Sequence, residues 1–404
     1  MALMPKLAPN VRVLALVSLL TDVASEMIYP LLPLFLSTVL GTTAAGLGVI
    51  EGLAESVSSL LRLPAGWWSD RIGRRKPLVV LGYGLAAVAR PLVGLAHSTG
   101  QVLAIRLTDR FGKGIRSAPR DALIADSVAP AERGYAFGVH RAADSLGAVL
   151  GPLVAWALLS RHWVDLRELF LWAAVPGLLS TVLVVLLVRE TAGAAVVAAP
   201  ADRAAPVPLA ERLDGALGRA FWRYLAALFV FTLGASSDAF LLLRASQLGV
   251  ATALIPILWA LLHVVKSSST VLGGALSDRL GRRPLILGGW AVYAATYLGF
   301  ALADRQWHAW ALFLVYGLYF GATEGVEKAM VADLVPAHRR GTAFGWFNAA
   351  LGVGALPASV LFGLVWERVG AAQAFLMGAG FAAAATVLLV VAVPAQQQRE
   401  PGRS

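Results

Sequence analysis

Gly66-Trp67-Trp68-Ser69-Asp70-Arg71-Ile72-Gly73-Arg74-Arg75-Lys76-Pro77 is the stretch that decides the fold, because most of it is written twice. It returns as Gly274-Ala275-Leu276-Ser277-Asp278-Arg279-Leu280-Gly281-Arg282-Arg283-Pro284, and Asp70 and Asp278 stand 208 positions apart in a chain of 404 residues. Each copy reads as a short, strongly basic loop between two long apolar runs. A soluble core gains nothing from a knot of guanidinium groups at such a place. A membrane protein does, because loops on the cytoplasmic side of a bilayer concentrate Lys and Arg.

Composition points the same way. The chain is 58% hydrophobic and 14% charged, with a mean hydropathy of +0.71, where ordinary globular proteins carry about 25% charged residues. The formal charge of +10 falls in short loops and not in a continuous patch, which argues against a nucleic-acid partner. With no Cys, disulfides and thiolate metal sites are excluded. The first apolar run is too long for a cleavable signal and lacks a small-residue cleavage site, so it is read as a helix that inserts and stays.

Apolar segments long enough to cross about 30 Å of hydrocarbon fall near 12–39, 44–66, 77–97, 101–128, 134–159 and 167–188, then near 221–247, 251–275, 284–303, 307–333, 341–366 and 371–393. They predict an all-α polytopic membrane protein with twelve transmembrane helices in two pseudo-symmetric six-helix bundles, 1–188 and 221–395. Residues 189–220, with Pro200, Pro206 and Pro208, read as a cytoplasmic linker, and 396–404 as a disordered tail. Lys and Arg crowd the termini and the loops on one side, whereas the opposite loops hold Arg161, Arg167, Arg305 and Arg368. Both termini are therefore expected in the cytoplasm.

A second motif repeats at nearly the same offset. Ala125-Asp126, Arg133-Gly134 and Ala136-Phe137-Gly138 recur 207 positions later as Ala332-Asp333, Arg340-Gly341 and Ala343-Phe344-Gly345. With the doubled basic loop, this pattern resembles the major facilitator superfamily of secondary transporters, in its bacterial twelve-helix form, along nearly the whole chain. The resemblance implies two parallel six-helix halves about an axis normal to the membrane, with the substrate between them. It also implies that the loop Asp caps a neighbouring helix end and pairs with a basic residue, latching the halves on the cytoplasmic side. Asp70 and Asp278 match that Asp, and Arg71, Arg74, Arg75, Arg279, Arg282 and Arg283 the basic partners. Arg110-x-x-x-Gly114 resembles the family's fourth-helix motif, whose Arg is tied to proton coupling in many members. Gly147-x-x-x-Gly151-Pro152 resembles in part the antiporter signature, but Leu153-Val154-Ala155 lacks its further glycines.

The fourth span carries Arg106, Asp109, Arg110, Lys113, Arg116, Arg120 and Asp121. Charges at mid-membrane cost roughly 2.5–3.5 kcal/mol each on insertion scales, so they face a cavity or each other. Spacings of three and four bring Arg106, Arg110, Lys113 and Arg120 largely to one face, with Arg116 nearby. Acids stand on the other spans: Asp22 and Glu26, Glu51 and Glu55 with Arg62, and Asp144 beside His140 and Arg141. The second half adds Asp238 and Arg244, His263 and Lys266, and Glu324, Glu327 and Lys328. A charged central cavity is expected, with Arg110, Lys113, Arg116, Arg141, Lys266, Glu324 and Lys328 contacting substrate. Asp22, Glu26, Glu51, Glu55, Asp238, His263 and Glu327 are the candidate proton carriers, and Glu26, Glu55 and Glu327 are favoured. The tryptophans near span ends read as interfacial belts, and the deeper aromatics Trp259, Tyr293, Tyr297, Tyr316, Tyr319, Trp346 and Phe347 as packing, with lining of the cavity as the alternative.

The expected function is proton-coupled secondary transport, by alternating access, of a polar anionic small molecule such as an organic anion or an anionic metal chelate of the siderophore kind. The protein is expected to work as a monomer in a bacterial inner membrane, with no cofactor or bound metal. A proton-coupled multidrug efflux antiporter is the nearest alternative, and many charges of both signs weigh against it. A non-transporting receptor or scramblase on the same scaffold is the alternative of another class, and the doubled latch weighs against that. No Gly-Lys-Ser/Thr phosphate loop is present, which argues against ATP hydrolysis, and the hydropathy excludes a soluble enzyme.

Overall fold

The structure, a computed structural model, describes residues 7–129, 132–190, 217–336 and 339–392. Most of the expected linker and the whole expected tail lie outside these residues. The described chain is helical throughout, without a strand, and runs through twelve helical rods. In the first half these are α1 (9–39), α2 (Ala44–Ile72), α3 (Lys76–Leu95), α4 (Thr99–Asp126), α5 (Arg133–Ser160) and α6 (Leu166–Leu187). The second half has α7 (Arg219–Gln247), α8 (Thr252–Leu280), α9 (Arg282–Leu302), α10 (Gln306–Leu334), α11 (Arg340–Arg368) and α12 (Ala371–Val391). Ten of them are long and apolar enough to cross a membrane. The other two are α1 and α4, which carry some of the charges discussed above.

Several rods break where the site lies. α1 tightens into a 3-10 turn at Tyr29–Leu31 and opens into a π turn at Phe35–Val39, around Pro30 and Pro33, which cannot donate to the ladder. α7 is interrupted between Gly234 and Asp238, and α10 at Glu324-Gly325. Broken helices free backbone groups at membrane depth, and this is tolerated only against protein or a water-filled cavity.

The opening motif is more helical than a loop. α2 runs through Ile72, and Gly73 ends it in the left-handed conformation at φ 65°, which a residue with a Cβ adopts only with strain. Only Gly73, Arg74 and Arg75 separate α2 from α3, and Gly281 alone separates α8 from α9. The two repeated motifs then meet. Arg75 pairs with Asp126 and, at 3.7 Å, with Asp70, while Arg282 pairs with Asp278 and, at 3.4 Å, with Asp333. Arg133 Nε donates to the Ala125 carbonyl at 3.2 Å, and Arg340 Nε to the Ala332 carbonyl at 3.3 Å. Each half thus ties its α2–α3 or α8–α9 corner to the end of its fourth or tenth helix.

The expected latch between the halves is not made in this structure. Among the described residues the ion pairs of Asp70 and Asp278 stay within one half. The cap of α3 comes from elsewhere: Glu190 accepts from the backbone N–H of Arg75 at 2.8 Å and of Lys76 at 3.0 Å.

The halves join by close helix contact instead. α2 and α11 form the most extensive helix pairing among the described residues, and α5 packs on α8. Glycine makes the α2–α11 seam possible. A Cβ on Gly48 would stand 2.2 Å from the Ser359 carbonyl oxygen, and one on Gly363 would stand 2.4 Å from that of Ala44. Glu367 accepts from the Ala45 N–H at 3.1 Å at this end, and Ser56 donates to the Gly352 carbonyl at 2.6 Å near its middle. Gly147 and Gly151 play a similar part within the first half, letting α5 rest on the α1 backbone at Leu19 and Val23, which reads as packing.

Candidate functional site

The charged residues collect where the broken segments of α1, α7 and α10 meet α2, α4, α5 and α8. On the first half, Arg106 Nη2 of α4 donates to Glu51 of α2 at 2.6 Å, with its Nε at 3.2 Å, and both side chains are buried. Arg90, in the last turn of α3, donates to Asp109 at 2.7 Å and to the Thr21 carbonyl at 2.9 Å. Asp109 also lies 3.9 Å from both Arg106 and Arg110. Arg106, Glu51, Arg90 and Asp109 thus form one buried network of α2, α3 and α4, two cations against two carboxylates, and that balance is what makes its burial tolerable.

Arg116 departs from the expected cavity wall. It is 4% exposed, its guanidinium lies 4.4 Å from the Tyr83 ring centre, and it reaches the Gly82 carbonyl at 3.4 Å. It fills the α3–α4 seam, where Gly82 and Gly112 allow the backbones to approach. Its role there is helix packing by cation–π contact.

Lys113 and Arg110 point differently. Both lie within electrostatic reach of Glu55, as does Arg62. Glu55 is exposed at mid-helix, with one hydrogen bond, accepted from Ser59 at 3.1 Å. Asp22 is within reach of Lys113, Glu26 and Asp144. Asp144 accepts from Ser18 and lies 3.6 Å from His140 Nδ1.

Polar contacts cross between the halves at three places here. Glu26 of α1 accepts from Trp259 Nε1 of α8 at 2.7 Å, and His263 Nε2 lies 3.9 Å from the same oxygen. Glu324 of α10 pairs with Arg141 of α5, and with Lys266 of α8 at 3.3 Å. At the α7 break, Ser237 Oγ reaches Glu51 and the Tyr29 hydroxyl, each at 3.5 Å. Asp238, the next residue, accepts from Tyr316 at 2.7 Å.

The second half meets these charges with aromatic rings. Tyr293 and Tyr297 stack 4.2 Å apart, and Phe231 stacks on Trp290 at 4.6 Å. They also satisfy the α7 break: Tyr297 meets Ser236 at 2.9 Å, and Tyr293 donates to the Gly234 carbonyl at 3.3 Å. Glu327 is buried in this wall and accepts from Trp290 Nε1 at 3.0 Å. Lys266 lies 3.9 Å from the Phe320 ring centre, and Lys328 is exposed.

Of the expected substrate contacts, Arg110, Lys113, Arg141, Lys266, Glu324 and Lys328 fall at or beside the junction of the halves, and Arg116 does not. Of the expected proton carriers, Glu26, Glu51, Glu55, Asp238 and His263 fall there. Asp22 lies just behind Lys113, and Glu327 in the aromatic wall. Sequence reading missed Tyr29, Ser237 and Trp259, which bridge the halves, and Arg90, which neutralises Asp109. Ser236 and Ser237 next to Asp238, within an apolar run, were the one available sign of a helix break.

A polytopic helical protein with charged groups between two six-helix halves has an architecture found among membrane transporters. Comparison with known proteins gives the family. A Major Facilitator Superfamily profile matches residues 14–326 and 266–404, and the chain belongs to that superfamily of transporters. An uncharacterized MFS-type transporter of Methanocaldococcus jannaschii is 32% identical over 396 residues, covering 95% of each chain. Multidrug resistance protein MdtG of Enterobacter lignolyticus is 33% identical over 176 residues, 42% of this chain and 41% of its own. Among solved structures, the nucleoside transporter NupG superposes with a TM-score of 0.78 over 95% of this chain and all of its own, at 14% identity, a likeness of fold alone.

Proposed function

We propose that the protein is a secondary active transporter that carries a small polar anion through the junction of its halves by alternating access, with protons as the coupling ion. It would work in a bacterial inner membrane with both termini in the cytoplasm. The observation that carries this reading is the group of Arg110 and Lys113 around the exposed Glu55 on the half-to-half surface. Cations at membrane depth beside an exposed carboxylate leave room for an anionic guest.

Proton coupling draws on Glu26. Its carboxylate holds Trp259 and faces His263 on the opposite half, so adding a proton weakens a contact that must break when the halves separate. Glu327, buried beside Trp290, is the second candidate.

The test is uptake by purified protein in proteoliposomes under an imposed pH difference, over a panel of organic anions and anionic chelates. The reading predicts accumulation of at least one anion, loss of it with a protonophore, and a fall of tenfold or more in Lys113→Gln. Uptake of cationic or neutral drugs only, unchanged in Lys113→Gln, overturns it. That outcome would favour drug efflux, which the aromatic wall of the second half and the partial likeness to MdtG support.

A further inference from the structure

On the face away from the basic loops, the turn joining α5 to α6 carries Arg161, His162, Trp163 and Asp165, all exposed, with Glu168 one turn into α6. Trp163 and Trp172 are 64% and 55% exposed. With Glu168 they line a cleft of about 310 Å³, which Val164, Leu171 and Val175 complete. A second cleft of about 550 Å³ shares Trp163, Val164 and Glu168 and continues past His162 and Asp165 to Thr252 and Ala253 of α8, so its far wall belongs to the other half. Beyond the first cleft, Leu171, Val175, Leu179, Val182 and Leu186 are exposed at spacings of three and four and form one apolar face of α6. In a chain that crosses a bilayer that face meets acyl chains, and the clefts stand where the chains end and the headgroups begin.

The charges in the clefts choose the headgroup. Asp165 and Glu168 cap α6 reciprocally: Asp165 Oδ1 accepts from the Glu168 N–H at 2.8 Å, and Glu168 Oε2 from the Asp165 N–H at 3.0 Å. Each carboxylate thereby keeps one oxygen for another donor. Arg167 does not neutralise them, because its guanidinium turns to the Gly94 and Ala96 carbonyls, at 2.9 and 2.7 Å. Arg161 lies against Trp163, 5.0 Å from the ring centre, which places a cation beside the same clefts. An anionic lipid would bring its phosphate to two carboxylates. A headgroup with an ammonium next to its phosphate matches both signs: the ammonium donates to Asp165 and Glu168, and the phosphate meets Arg161. We propose that the clefts bind one zwitterionic phospholipid with a primary ammonium headgroup, phosphatidylethanolamine, whose chains lie along α6. Because Thr252 and Ala253 close the site from the second half, the bound lipid favours the state in which this face is shut. The site is independent of what the protein transports.

Titration of the purified full-length protein with phosphatidylethanolamine and phosphatidylglycerol of identical chains, read by native mass spectrometry, tests the site. Phosphatidylethanolamine is expected to bind more tightly by about fivefold, the scale of one or two exposed charge pairs. The double variant Asp165→Asn, Glu168→Gln keeps both capping acceptors and removes both charges, so the fold should persist while the preference falls to within about twofold. Asp304→Asn, at an exposed acid of another loop on the same face, should leave the preference unchanged. The chain has no Cys, so spin labels at His97→Cys and Val369→Cys report the distance between the halves at this face. Nanodiscs of phosphatidylethanolamine should give more of the short distances than nanodiscs of phosphatidylglycerol, and the double variant should lose that gain. Equal binding of the two lipids by the wild type, a preference that survives in the double variant, or its loss in Asp304→Asn as well, overturns the site. A preference with no change in distance overturns its link to closure.

Discussion

Gly48→Ala separates closure of one face from stability of the fold. The added Cβ would lie 2.2 Å from the Ser359 carbonyl oxygen and 2.9 Å from its carbon, both backbone atoms of α11. Ordinary contacts begin near 3.4 Å, so the α2–α11 seam must open by about 1 Å, and overpacking of this kind costs about 1–3 kcal/mol. The cost falls only on the state in which α2 and α11 touch. A state with this seam parted has no such clash, so the equilibrium moves toward it by about 5–150-fold. Spin labels at His97→Cys and Val369→Cys, on opposite halves at the face away from the basic loops, read the shift as a gain in long distances. Two controls isolate the cause. Gly274→Ala has nothing within 4 Å of its Cβ and should leave the distribution unchanged. Gly82→Ala, 2.5 Å from Arg116 and the Gly112 carbonyl within the first half, should lower thermal stability without favouring either state. If Gly48→Ala stays folded with the wild-type distribution, the seam does not govern access.

Arg106→Gln strands the buried Glu51 carboxylate and should lower unfolding stability by about 3–5 kcal/mol, partly restored in the double variant with Glu51→Gln; a loss under 1 kcal/mol in denaturant titration would contradict the network. Glu26→Gln keeps an acceptor for Trp259 but removes the charge facing His263, so exchange of substrate across the membrane should persist within about threefold while uptake driven by a pH difference falls at least tenfold; intact pH-driven uptake would remove Glu26 from coupling. Arg75→Ala and Asp126→Ala should be non-additive by about 0.5–3 kcal/mol in a double-mutant cycle, since they share one contact at the α2–α3 corner; additive losses would show that the repeated motifs do not act together.

The helices were legible because bilayer thickness imposes a length that apolar runs declare openly: the expected span 371–393 and the observed helix Ala371–Val391 nearly coincide. The doubled motif announced two halves, and its partner Ala125-Asp126 proved to be the acid that Arg75 seeks. What it joins was not legible. A repeated Asp-Arg pair looks the same whether it bridges halves or braces one corner, and in this structure Asp70 and Asp278 pair within their own corners. The charged helix α4 shows the same limit. Arg110, Lys113 and Arg116 lie three positions apart and look equivalent, yet Tyr83 and Gly82 of α3 draw Arg116 into a seam. Trp259 read as packing because an indole N–H gives no sign in sequence of the carboxylate it will meet on another helix.

Arg110 and Lys113, beside the exposed Glu55 between the halves, are proposed to carry an anion across the bilayer. Accumulation of labelled anion in proteoliposomes under a pH difference, wild type against Lys113→Gln, tests it most directly. Accumulation is expected in the wild type, collapsing with a protonophore and at least tenfold lower in Lys113→Gln. An anion accumulated equally by both proteins, or by neither, would contradict it.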